Sequence, residues 1–126
     1  MLVAPYISHS LLLPRCRLVV SHGGAGIMFS ALAHGLPQLI LPQGADQFLN
    51  ATAGQAAGVA LALTPDQFSA GAVAAAAERL ITEPGFDVAA SGVRAEIDAM
   101  PSPADVLASV TAPLHGLNMA AYYACS

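Results

Sequence analysis

The chain has no lysine, and only 10% of its 126 residues are charged, against about 25% in an ordinary soluble domain. Four arginines face eight acids, for a formal net charge of −4. The basic patch that phosphate neutralisation needs is missing, which excludes nucleic acid as a partner. Long apolar runs are missing too. Gly, Pro, His or Arg interrupts every apolar stretch before the roughly 20 residues of a membrane span. Met1-Leu2-Val3-Ala4-Pro5 has no basic residue ahead of a long apolar block, so it does not read as a secretory leader. The two cysteines, Cys16 and Cys125, form neither a metal-ligand spacing nor a disulfide framework, and a reducing cytoplasm is the expected setting.

Apolar surface is what the chain has in plenty, at 56% hydrophobic residues. A domain of this length hides about two-thirds of the surface its unfolded chain exposes. A core is therefore feasible, but few charges remain to cover the outside. The length suits one domain or part of one, and the apolar excess points to a partner surface or to self-association.

Residues 8–13 suit a helical turn that Pro14 should end, since proline disfavours helix in the residue before it. Arg17-Leu18-Val19-Val20-Ser21 reads as a short buried strand running into His22-Gly23-Gly24-Ala25-Gly26. Ile27, Phe29, Leu32 and Ala33 have helical spacing over residues 25–34. Gly35 is placed to end that helix, and Pro37 prevents its continuation. A second strand covers residues 38–41. The loop Gln43-Gly44-Ala45-Asp46-Gln47 follows, then a helix to about Gln55 and a third strand over residues 59–63. Helices are predicted over 69–81 and 88–100, with a break at Pro84-Gly85. Ser102-Pro103, an N-cap followed by a first-turn proline, opens a last helix to about Val110. Residues 111–126 show no clear periodicity and form an irregular tail on this reading. Alternating strands and helices with short joins predict an α/β fold, a partial Rossmann-like parallel sheet followed by C-terminal helices.

In an open α/β sheet, ligands gather beyond the carboxyl ends of the strands. Two loops leave that edge. In the first, glycines let backbone approach a ligand closely, and the helix that follows opens with unpaired N–H groups suited to a phosphate. His22 adds a donor to the same anion. A tight packing turn would explain the glycines equally well. In the second loop, Asp46 and Gln47 offer an acceptor and an amide to hydroxyl groups. Helix capping explains Asp46 alone but leaves Gln47 without a role.

His22-Gly23-Gly24-Ala25-Gly26, Ala33-His34-Gly35-Leu36-Pro37-Gln38, then Pro42, Asp46-Gln47-Phe48 and Asn50-Ala51 together resemble the donor motif of family-one glycosyltransferases. The likeness is to the bacterial group acting on macrolides and other polyketide or natural-product aglycones. Leu13-Pro14-Arg15-Cys16 and Met100-Pro101-Ser102-Pro103 are similar to that group as well, and the match covers about residues 3–110. The resemblance implies a two-domain GT-B enzyme whose C-terminal domain binds the donor, with residues 1–110 the later part of that domain. It implies transfer of a sugar from a UDP- or TDP-sugar, with inversion and no essential metal. Carried over by position, His22 and the stretch Gly23, Gly24, Ala25, Gly26 and Ile27 meet the donor diphosphate. Ser30 could reach toward the ribose, and Gln43, Asp46 and Gln47 border the sugar. No catalytic residue is assigned, because the family's general-base histidine belongs to an N-terminal acceptor domain that these residues do not match.

One position departs from the family, which usually has Thr or Ser where Ile27 stands. A hydroxyl bonded to a phosphate oxygen is worth about 1.5–3 kcal/mol, so its loss should weaken donor binding. The expected function is the donor-binding portion of a glycosyltransferase, inactive alone. The competing reading is a non-catalytic nucleotide-sugar binder or an inactive remnant. A dinucleotide-binding unit is also suggested by Gly24-Ala25-Gly26, with Asp46 20 residues after Gly26. It is rejected because Phe29 occupies the position where that fingerprint needs a small residue.

Overall fold

The computed structural model describes residues 1–112. Three parallel strands, β1 (Val19–Ser21), β2 (Gln38–Ile40) and β3 (Ala60–Ala62), lie in the order β1-β2-β3. Val19 aligns with Gln38, and Gln38 with Ala60. The strands therefore end level, and their carboxyl ends form one edge. The α/β fold with a parallel sheet and C-terminal helices is as expected from the sequence.

Alternation along the strands sends side chains to two faces. Ile40, Ala60 and the partly buried Ala62 pack with Leu32, Ala51, Val59 and Ala90. This face is covered by α2 (Ala25–Ala33), α3 (Gln47–Ala56) and α5 (Pro84–Asp98). Leu39 faces the other way, onto Ala76 and Leu80 of α4 (Ala70–Thr82). All three residues of β2 are buried because β2 has a neighbour on each side. At the edge, Val20 of β1 is half exposed. A third cluster joins Leu13, Val19, Ala31 and Leu36.

Glycines end the helices where the sequence places them. Gly35 and Gly58 take φ of +67° and +72°, the left-handed conformation that closes a helix. Two boundaries differ from the sequence reading. Pro14 does not stop the first turn: α1 (His9–Leu12) continues as a 3-10 turn over Leu13–Arg15. The missing N–H of proline is harmless in a first turn, and buried Leu13 holds the turn against the core. Pro84-Gly85 is likewise no break. Pro84 opens α5, so the helix starts four residues earlier than periodicity suggests, with Asp87 in its first turn. Phe86, just after that proline and glycine, packs against the cluster of Leu39, Ala76 and Leu80.

The last helix, α6 (Pro103–Thr111), opens on a capping box in which Ser102 and Asp105 exchange hydrogen bonds. Those bonds from the Ser102 hydroxyl and amide hold the Asp105 carboxyl below the usual carboxylate range. The expected tail lies, from residue 113 onward, outside the described residues. Among the described residues, no helix is long and apolar enough to cross a membrane.

Candidate functional site

Both loops identified in the sequence leave the carboxyl edge of the sheet, from adjacent strands. The first is a backbone device. Gly23 is buried with φ of +87°, and its N–H donates to Ser21 Oγ at 3.1 Å. A Cβ added there would stand 2.5 Å from Ile40 Cγ2, so only glycine fits. Gly24 then turns into extended backbone as the N-cap of α2, and no side chain caps that helix. Met28 is the first residue of α2 whose amide reaches a backbone carbonyl, that of Gly24 at 3.1 Å. The amides ahead of it are left to a ligand or water, and the partial positive charge of the helix end favours an anion there. His22 is exposed, with its ring against this turn: a Cβ on Gly24 would meet His22 Nε2 at 3.1 Å. The imidazole thus lies beside the turn that carries the uncapped amides.

The second loop is held by side chains. Gln47 Oε1 accepts from the amides of Gln43 at 2.8 Å and Gly44 at 3.2 Å. Its Nε2 keeps its hydrogens for an outside acceptor. Ala45 adopts φ of +53° to complete the bend. Asp46 sits at the N-cap of α3 in helical conformation and makes no cap hydrogen bond, so the capping explanation fails on geometry. Its Oδ2 instead accepts from Asn50 Nδ2 at 3.3 Å. The same Nδ2 donates to Gly23 O at 2.9 Å. Asn50 is therefore the residue that links the two loops, and the sequence reading used it only as a motif letter.

Other residues singled out in the sequence are placed less favourably. The Ile27 side chain packs against the cluster of Leu13, Val19, Ala31 and Leu36, leaving its backbone amide as its contribution to the turn. Ser30 does not extend a free hydroxyl, because its Oγ donates to Gly26 O at 2.8 Å. Gln43 folds its side-chain amide back onto Leu41 O at 3.1 Å. It also lines a cavity of ≈ 240 Å³ with Pro65 and Phe68. His34 Nδ1 lies 2.8 Å from Ser30 O, at the far end of α2. Among the described residues, no group of three or more His, Cys, Asp or Glu stands close enough to hold a metal ion.

The model of the family described as erythromycin biosynthesis protein CIII-like, C-terminal domain, matches residues 2–112. Elloramycin glycosyltransferase ElmGT of Streptomyces olivaceus is 43% identical over 98 residues, 76% of this chain and 24% of the relative. The solved structure of spinosyn forosaminyltransferase SpnP aligns with a TM-score of 0.86 at 31% identity, covering 91% of this chain and 31% of that one. Glycosyltransferase VinC, solved in complex with dTDP, aligns at 0.81 with 31% identity, over 86% of this chain and 27% of VinC. The chain spans about a quarter of the length of the curated relatives it matches.

Proposed function

This chain belongs to the erythromycin biosynthesis protein CIII-like C-terminal domain family, and from that premise we propose that it binds the nucleotide-diphospho-sugar donor of a glycosyltransferase. The acceptor class proposed is a small natural-product aglycone such as a polyketide. One observation carries the reading: the uncapped first turn of α2 faces His22 and is tied through Asn50 to the loop of Asp46 and Gln47. A diphosphate suits the amides of residues 24–27 and the imidazole. Sugar hydroxyls suit the Asp46 carboxylate and the Gln47 amide, which together accept and donate. Ile27 contributes through its backbone amide, while Ser30 and Gln43 stand at the margin of the site. The dTDP in VinC supports a thymidine diphosphate donor.

Transfer by this chain alone is not proposed. Inverting transfer needs a base within about 2.6–3.2 Å of the acceptor hydroxyl. It also needs the acceptor held against the anomeric carbon, a positioning worth roughly 7–11 kcal/mol. His22 is assigned to the diphosphate, and His34 is held at the other end of α2. On this reading the acceptor is held by protein beyond these residues. The test is incubation of the purified chain with UDP- and TDP-sugars and polyketide aglycones, following glycoside by mass spectrometry. The nucleotide sugar should bind without turnover. Turnover that persists in the pure chain and disappears in His22→Ala would overturn this reading.

A further inference from the structure

The Asn50 amide makes two hydrogen bonds from one nitrogen. Nδ2 donates to Gly23 O at 2.9 Å and to Asp46 Oδ2 at 3.3 Å. Both partners are acceptors, so the orientation of the amide follows from chemistry, and its two hydrogens are spent. The peptide joining Gly23 to Gly24 is planar, with its C=O and N–H pointing in opposite directions. Fixing the carbonyl therefore fixes the direction of the Gly24 N–H. The flanking residues are both glycines, with no Cβ to bar rotation of that peptide unit, and the bond from Met28 N–H to Gly24 O holds only the peptide that follows it. Ser21 Oγ holds only the preceding amide, that of Gly23.

We propose that Asn50 is a positioning residue for the donor site: by clasping Gly23 O it aims the Gly24 N–H at the diphosphate, and by holding Asp46 Oδ2 it sets the sugar-reading carboxylate in the same frame. The proposal rests on the donor-site reading above. Asn50 touches neither phosphate nor sugar in this role. Its substitution should weaken bare nucleotide diphosphate, although it stands on the helix of the sugar-reading loop. Thr52→Ala, an exposed change on the same helix, should leave TDP affinity as it is.

Three 15N-labelled variants of the whole chain test this: Asn50→Ala, Thr52→Ala, and the exchange Asn50→Asp with Asp46→Asn. The exchange keeps net charge and allows a bond between positions 46 and 50 with reversed polarity, but leaves Gly23 O without its donor. Calorimetry with TDP should show Asn50→Ala and the exchange about tenfold weaker than wild type, with Thr52→Ala within about twofold. Without ligand, relaxation dispersion should show microsecond-to-millisecond exchange at the Gly24 amide in the first and third variants and not in the second. A quiet Gly24 amide in Asn50→Ala, or wild-type TDP affinity in the exchange variant, would overturn the clasp. If Asn50→Ala does not fold, the exchange variant decides alone. Absence of TDP binding by wild type would count against the donor reading instead, and the Gly24 relaxation would still decide the clasp.

Discussion

The glycine loop and the Asp46-Gln47 loop lie one asparagine side chain apart, yet they hold their shapes by opposite means. The first relies on backbone that no other residue could adopt, with Gly23 buried against Ile40 and the helix start left open. The second uses ordinary residues, one of them strained, and is closed by the Gln47 carboxamide. A loop shaped by glycine backbone and clasped at one carbonyl by Asn50 can present bare amides, which suits an anion whose charge is the same from every side. A loop fixed by side chains leaves other side-chain atoms directed outward, which suits hydroxyl groups that must be told apart.

This contrast predicts unequal tolerance to substitution. The largest effect should come from Gly23→Ala, which combines a Cβ 2.5 Å from Ile40 Cγ2 with φ of +87°. Overpacking and left-handed strain together should cost about 3 kcal/mol, measurable by urea unfolding. Ile27→Thr should cost about 1 kcal/mol of stability by removing apolar contact with the Leu13 cluster. The same change should tighten TDP by up to about tenfold if its hydroxyl reaches the diphosphate; unchanged affinity would show that the lost hydroxyl does not limit the site. Gln47→Ala frees the amides of Gln43 and Gly44 at a partly exposed site, for a loss of about 1 kcal/mol that thermal melting would detect. The smallest effect should be a gain. Ala45→Gly relieves left-handed strain but frees the unfolded chain, for a net of about 0.5 kcal/mol. A loss of stability there would mean that the second loop depends on its backbone as much as the first.

The parallel sheet and the ends of α2 and α3 were legible because glycine and apolar spacing act locally: Gly35 and Gly58 stop their helices where their positions suggest. Pro84 misled because the same residue can end one helix or open another, and the choice fell to the packing of Phe86. The glycine loop was legible from residue types alone as a tight turn opening a helix, and its reading as an anion site remains the proposal made above. Asn50 was not, because its role joins positions 27 residues apart and no local pattern records such a bond. Ile27 and Ser30 were read by sequence position relative to the loop. Position does not record side-chain direction, which sends one into the core and the other back onto Gly26 O.

Titration of TDP into the wild-type chain and into His22→Ala tests the central claim most directly. Imidazole bonded to a charged phosphate oxygen is worth about 1.5–3 kcal/mol. Wild type should therefore bind saturably, and His22→Ala at least about tenfold more weakly, with both melting at similar temperatures. Equal affinity in the two proteins, or no binding by either, would contradict the account.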